Sequence, residues 1–340
     1  WGGNRFSSIT SGTSHNTNFI GEIFDYGYST DCSDYKEFFS QFTSRFVSEE
    51  PTFGAVCRES MLEFMTDEDL TGADESILKY HSKTNPCLDV HIYDYVRAFT
   101  EHVLGNFTDG EDRYFKMKYI QCEWVKITME LALRNLGYSN GIIYWMFNDC
   151  WPASVGWAFV DYYLRRKPSF YAFKRLIKDV VGSIDVMTGQ LVISNTSSEP
   201  KVAEVMIHIL DMEKGIKEIE LIKMSVGVDA YSTVTYDISD KLFDNILAVV
   251  DTVSSGDVYR SHYKMGKLEL GKRGAYCILS EGDNEITIKA DTYLQVVELE
   301  GDYRFSDNYF TMLEGEEKTI HFEKFLDKAS GVTIKSYTLL

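Results

Sequence analysis

Glu49 is the residue of this sequence best placed to do chemistry. It ends the run Arg45-Phe46-Val47-Ser48-Glu49, a short apolar stretch that stops abruptly in a carboxylate. A second apolar stretch, Gly141-Ile142-Ile143-Tyr144-Trp145, ends in an indole and leads into Asn148, Asp149 and Trp151. A carboxylate able to bond an electron-poor carbon, with indoles to take an apolar sugar face and amide or acid groups to hold hydroxyls, is the equipment of glycoside chemistry. Retaining hydrolysis needs two carboxyl groups ~5 Å apart, one bonding the anomeric carbon and one protonating the leaving oxygen. Glu50 competes locally with Glu49; on a regular strand their side chains take opposite faces. Glu22 and Asp25 are the nearest upstream carboxylates in a strand-like segment, and both are poor candidates for the acid. Simpler roles stay open at this level. Glu49 is then a solvated strand end, Trp145 a cap on a core, and Asn148 with Asp149 a turn ahead of Pro152.

These residues need two strands with their C-terminal ends side by side, and the pattern around them supplies such elements. Residues 1–30 read as loop, with a short aromatic strand near Glu22–Tyr28, and Asp34 with Glu37 caps a helix through Phe38 and Phe42. Asp89 to Leu104 reads as one helix ended by Gly105. Thr108 and Glu111 form a capping pair for a long helix with apolar positions Phe115, Tyr119, Cys122, Met129, Leu133 and Leu136, stopped by Gly137. Pro168 opens a further helix carrying Tyr171, Ile177 and Val181. Residues 45–181 thus alternate strand and helix, the order of a parallel α/β unit, and the strands are apolar enough to be covered on both faces.

After Gly182 strands dominate: Leu191–Ser194, Val202–Asp211, Ile219–Val226 and Ile246–Val250, with a second set from Tyr276 to the end. Two small β-sandwiches are expected, over 182–270 and 271–340.

The bulk composition narrows the function classes. The 340 residues hold 34 Lys and Arg against 52 Asp and Glu, a net charge of −18, which disfavours nucleic acid and anionic membrane as partners. No transmembrane run is evident. Cys32, Cys57, Cys87, Cys122, Cys150 and Cys277 have no paired spacing and read as reduced thiols. His81 and His91 bracket Cys87, but not at the spacing of a common zinc site, so no metal and no cofactor is expected. Arg165-Arg166-Lys167 reads as a solvated cap before a helix. Asn106 and Asn195 match the glycosylation acceptor pattern, a weak signal.

Three segments together resemble the β-mannosidase branch of glycoside hydrolase family 2. Ser44-Arg45-Phe46-Val47-Ser48-Glu49 is similar to the family's R-F-x-S-E strand, and the resemblance implies that Glu49 is the nucleophile. Tyr144-Trp145-Met146-Phe147-Asn148-Asp149-Cys150-Trp151-Pro152 resembles its Y-W-x-x-N-D-x-W motif on the last barrel strand. Arg304-Phe305-Ser306-Asp307-Asn308-Tyr309-Phe310 resembles the signature of its final immunoglobulin-like domain, and Ser7-Ser8 and Gly21-Glu22 are weaker landmarks.

The resemblance implies that residues 1–181 form the C-terminal half of a (β/α)8 barrel followed by the two sandwiches. It also implies a sugar site with Trp145, Asn148, Asp149 and Trp151 as substrate contacts. The family's acid/base lies in an Asn-Glu pair; none precedes Glu49, so that group is expected outside this chain. The expected partners are an oligosaccharide or glycoside substrate and either the remaining part of the enzyme or a second copy of the chain. A bacterial cytoplasmic location is expected, with secretion open. The family has an aromatic residue and Gly after its nucleophile where this chain has Glu50-Pro51, and a His where this chain has Phe24; both changes bear on specificity and activity. A non-catalytic carbohydrate-binding or structural module derived from the same family is the competing expectation.

Overall fold

In a computed structural model of the chain, residues 45–83, 92–185, 187–325 and 331–340 are described. The strand near Glu22–Tyr28, the Asp34–Glu37 cap, Ser7-Ser8, Asp25, Cys32, Cys87 and His91 lie outside them. Two compact units emerge. The first holds the described residues up to Glu50 with Val125–Tyr144 and Phe173–Lys267; the second holds Pro51–Trp124, Trp145–Ala172 and Leu268–Leu340.

Before the sandwiches the strands are short: β1 (Val47–Glu50), β2 (Gly54–Ala55), β3 (Ile142–Tyr144) and β4 (Val155–Gly156). β1 pairs with β3 in parallel and β2 with β4 antiparallel. Of the strand pairs among the described residues, β1–β3 alone is parallel. The expected two-sided burial fails at β3, where Ile143 is 53% exposed.

The first unit is mainly a β-sandwich. β5 (Val180–Ile184), β6 (Gln190–Asn195), β7 (Lys201–Asp211), β8 (Lys217–Val228), β9 (Ser232–Asp237), β10 (Ile246–Ser254) and β11 (Asp257–Lys264) form the sheets β5-β6-β9 and β11-β10-β7-β8. Alternation with period two sends Val205, Ile207 and Ile209 of β7 inward against Leu191 and Ile193 of β6 and Ala248 and Val250 of β10. Asn195 is buried and its Nδ2 donates to the carbonyls of Glu199, Val228 and Asp229, so in this fold it is not an exposed glycosylation acceptor.

Four charged groups sit across the four strands of the sheet β11-β10-β7-β8, one on each. The Arg260 guanidinium donates to both Asp251 oxygens, at 2.6 and 2.7 Å, and His208 lies between Asp251 and Glu218. Burial alone would raise the Asp251 carboxyl, but Arg260 and His208 hold it at about 2 against an ordinary 3.8. Burial works against the His208 imidazolium, yet Asp251 and Glu218 raise its pKa above the ordinary 6.5. The depressed carboxylate stabilises the fold above pH 3.8, by about 2 kcal/mol, and this is lost as pH falls toward 2. The histidine's contribution is complete below pH 6.5 and is lost as pH rises through its elevated value. Urea melts across pH are expected to give a stability maximum between these limbs. His208→Gln should flatten the alkaline limb and also reduce the acid limb, because His208 helps Arg260 to hold the Asp251 carboxyl down; an unchanged alkaline limb would contradict the assignment.

The second unit carries the helices α1 (Arg58–Met61), α2 (Asp67–Thr71), α3 (Ser76–Tyr80) and α4 (Ile92–Leu104), and the first part of α5 (Gly110–Arg134). The cap of α5 is shifted one residue from the expected pair. Asp109 Oδ1 accepts from the Asp112 amide at 2.8 Å, and Asp112 Oδ2 accepts from the Thr108 amide at 2.9 Å. Gly110 is required there, because a Cβ would meet the Thr71 carbonyl oxygen at 1.6 Å. The next helix, α6 (Pro168–Leu176), is shorter than its sequence pattern; Ile177 follows it and Val181 belongs to β5.

The second sandwich comprises β12 (Leu270–Arg273), β13 (Tyr276–Glu281), β14 (Glu285–Ala290), β15 (Leu294–Glu300), β16 (Tyr303–Phe305), β17 (Phe310–Met312), β18 (Glu317–Lys324) and β19 (Thr333–Leu339). Its sheets are β12-β19-β15-β17 and β13-β14-β18-β16. Ile286, Ile288 and Ala290 of β14, Ile320 and Phe322 of the adjacent β18, and Val297 and Leu299 of β15 are all buried. The Arg304–Phe310 signature has a structural function here. Buried Asn308 accepts from the Leu299 amide and donates to the Leu299 carbonyl, both at 2.8 Å, and so closes the β15 edge as a strand would.

Candidate active site

β1 and β3 run side by side, with Val47 opposite Ile142 and Glu50 opposite Tyr144. The register slips between those pairs, so an extra residue is accommodated at Ser48–Glu49. Such a bulge breaks strict alternation, and the simple opposite-faces argument for Glu49 and Glu50 does not apply across it. Glu49 is in the strand by its backbone; its side chain lies outside the description. Glu50 is buried at 3% exposure. The phenol of Tyr144 is pushed well above its usual range, first by burial and further by the Glu50 charge, while its hydrogen bond with Thr128 at 2.8 Å opposes this. Tyr144 also donates to the Val125 carbonyl and meets Phe173 edge-on, which fixes the end of β3.

The chain then enters the second unit at Trp145. The segment that follows is clamped by its backbone. The Phe159 amide donates to the Met146 carbonyl at 3.1 Å, Val160 to Phe147 at 2.9 Å, and Asp149 to Val160 at 2.9 Å. On this frame Trp145 is 49% and Phe147 67% exposed. Trp145 leans on Trp157, with ring centroids 6.0 Å apart and planes at 43°. Trp157 in turn meets Phe53 edge-on at 6.0 Å. Asn148 is exposed and its Nδ2 donates to the Asp149 carbonyl. Trp151 stacks on His81 at 5.7 Å, and His81 tilts against Phe64 at 4.8 Å, so this histidine serves ring packing.

Asp149 differs from the picture of a sugar ligand. Its side chain is buried, with Oδ1 2.6 Å from Lys83 Nζ. Of the two roles open to it from sequence, this geometry is that of a loop anchor. The Arg165-Arg166-Lys167 run is likewise not a solvated cap. Arg165 is buried, with its guanidinium on both oxygens of Asp302 at 3.0 and 3.2 Å. Lys167 is fully buried and donates to the carbonyls of Gly54 (3.1 Å) and Gly156 (3.2 Å); burial pushes its ammonium down to about 8. Lys83 and the burial of Lys167 escaped sequence reasoning, because each takes its meaning from partners away from it in the chain.

Among the described residues, Cys57, Cys122, Cys150 and Cys277 are free, and no cluster of His, Cys, Asp or Glu has the form of a metal site. No helix among them is long and apolar enough to cross a membrane.

The family model of the mannosidase Ig-fold domain matches residues 276–338, which is the second sandwich from β13 to β19. β-Mannosidase B of Aspergillus clavatus is 25% identical over 279 residues, covering 72% of this chain and 32% of that protein. β-Mannosidase B of Aspergillus flavus is 31% identical over 150 residues, 42% of this chain and 17% of its own length. The chain is similar to the C-terminal portion of family 2 β-mannosidases. It spans between 17% and 32% of the length of these two relatives. The crystal structure of a β-D-mannosidase from Dictyoglomus thermophilum shares the fold over 90% of this chain and 39% of its own, with a TM-score of 0.73 at 19% identity. An exo-chitosanase from Amycolatopsis orientalis shares it over 91% of this chain and 45% of its own, with a TM-score of 0.68 at 15% identity. The sandwiches of the β-mannosidase-like portion are therefore as expected. The segment from Trp145 to Trp151 presents exposed aromatic side chains, with buried Asp149 as its anchor.

Proposed function

We propose that this chain carries the nucleophile side of a retaining, exo-acting glycoside hydrolase that removes terminal β-linked mannose or a related hexose. Glu49 attacks the anomeric carbon and forms a covalent glycosyl-enzyme, Trp145 lies under the sugar, and Asn148 and Trp151 line the entrance. β1 and β3 are then neighbouring strands of a (β/α)8 barrel completed by residues outside this chain, which also supply the general acid/base. The observation that carries the reading is the parallel pairing of β1 with β3, in which one strand ends at Glu49 and Glu50 and the other runs directly into Trp145. Active-site residues of such barrels stand at the C-terminal ends of strands. The bared Ile143 of β3 fits a surface that the rest of a barrel covers.

The test is the stereochemistry of turnover by the protein containing this chain and its completing barrel half. Proton NMR of aryl β-D-mannoside hydrolysis should reveal β-mannose as the first-formed anomer. An α-anomer first, or no turnover of any β-hexoside, would overturn the reading. Trp145→Ala removes the platform. Burying an indole-sized apolar face contributes about 2 kcal/mol, so kcat/KM should fall ~30-fold. A change under threefold would remove Trp145 from the site.

A second reading is favoured by the sequence Glu50-Pro51 and by the predominance of the two sandwiches: a non-catalytic carbohydrate-binding module. Calorimetry with manno-oligosaccharides on Glu49→Gln separates the two. Binding carried by the sandwiches alone supports the module; binding lost with Trp145→Ala supports the hydrolase site.

A further inference from the structure

The ammonium of Lys83 has three donors and meets three parts of the Trp145 surroundings. Its nitrogen forms an ion pair with Asp149 Oδ1 at 2.6 Å, donates to Met146 Sδ at 3.5 Å and lies 4.5 Å from the Trp157 ring. Met146 is the residue after Trp145, Trp157 is the ring Trp145 leans on, and Asp149 anchors the far end of the same segment. The stem is held as tightly as the head. The Lys83 amide donates to the Val155 carbonyl at 3.1 Å, and the side chain passes Gly156 so closely that a Cβ there would stand 3.3 Å from Cδ and Cε.

A buried ion pair is a costly way to fill space, since apolar groups of the same shape serve stability as well or better. A cation with fixed directions does what an apolar group cannot: it sets the distance between the Trp157 face, the Met146 sulfur and the Asp149 carboxylate. We infer that Lys83 is a positioning residue for the sugar platform, fixing the angle of the Trp145 indole through Met146, Trp157 and Asp149. The inference rests on the reading of Trp145 as the platform. Lys83 itself does not touch the sugar.

The test uses the protein containing this chain and a mannose-configured iminosugar as probe, with calorimetry for Kd and steady-state kinetics for aryl β-mannoside. Lys83→Met should raise Kd and KM about tenfold while kcat changes less than about threefold, because a displaced platform weakens sugar binding. Lys83→Arg, which keeps the charge and the ring contact, should recover most of the affinity. An unchanged Kd in folded Lys83→Met would overturn the inference, as would loss of affinity in Lys83→Arg equal to that in Lys83→Met. If Lys83→Met does not fold, Gly156→Ala decides, because its Cβ would stand 3.3 Å from the lysine stem and 3.4 Å from Asp149 Oδ1, disturbing the pair without removing either charge. It should raise Kd about threefold, and an unchanged value would overturn the inference. Failure of the underlying reading looks different: Trp145→Ala would then leave Kd unchanged.

Discussion

Glu49→Gln is expected to lower kcat roughly 10³-fold or more, about 4 kcal/mol of lost transition-state stabilisation, with the fold intact. The amide is nearly the size of the carboxylate but cannot bond the anomeric carbon as an anion. Glu49 stands at a bulge at the end of β1, and the substitution keeps the side chain's length and volume. The thermal midpoint should therefore stay close to the parent value. The expected signature is a pure activity loss, and in Glu49→Gly, where the position is emptied, added azide or formate should partly restore turnover by supplying an external nucleophile. Glu50→Gln is the control. Glu50 is buried beside Tyr144, so its substitution should act on stability first. If Glu50→Gln abolished turnover and Glu49→Gln did not, the assignments would be exchanged.

The largest expected effect on stability lies in the second sandwich. Lys118 of α5 is fully buried between Glu298 and Glu300 of β15, with the Glu300 oxygen at 2.9 Å. The Tyr309 hydroxyl donates to Glu298 at 2.9 Å and Lys335 reaches Glu300 at 2.8 Å. Burial opposes ionisation of Glu300, yet the two lysines hold its carboxyl at about 2. Lys118→Met removes the cation and leaves Glu298 charged in the interior, which costs about 3–5 kcal/mol. Denaturant melts near pH 7 should read this directly. The loss should shrink as pH is lowered toward the carboxylate range, because a protonated Glu298 no longer needs its partner. The double change Lys118→Met with Glu298→Gln should recover much of it, and non-recovery would mean that Lys118 acts through packing alone.

The sandwiches were legible because their strands alternate, as in Ile286, Ile288 and Ala290, and because one face of each sheet is buried. The α5 cap was misplaced by one residue because Thr108 and Asp109 are both good capping types, and only the backbone decides between them. The α6 helix was overextended because Ile177 and Val181 happen to continue its spacing into β5. The site was half legible. Trp145, Asn148 and Trp151 announce themselves as exposed aromatic and amide groups on a loop. The burial of Asp149, Arg165 and Lys167 depends on Lys83, Asp302 and the carbonyls of Gly54 and Gly156, none of which is near in sequence except Gly156. The bulge at Ser48–Glu49 leaves no trace in residue types, since it comes from the pairing of β1 with β3.

The central claim is that Glu49 bonds the sugar. Incubating the protein with a 2-deoxy-2-fluoro-β-mannosyl fluoride and mapping its peptides by mass spectrometry tests it most directly. The account predicts one added fluoro-mannosyl group, located on Glu49 and absent from Glu49→Gln. A label on Glu50 or any other residue, or none during demonstrated turnover, would contradict it.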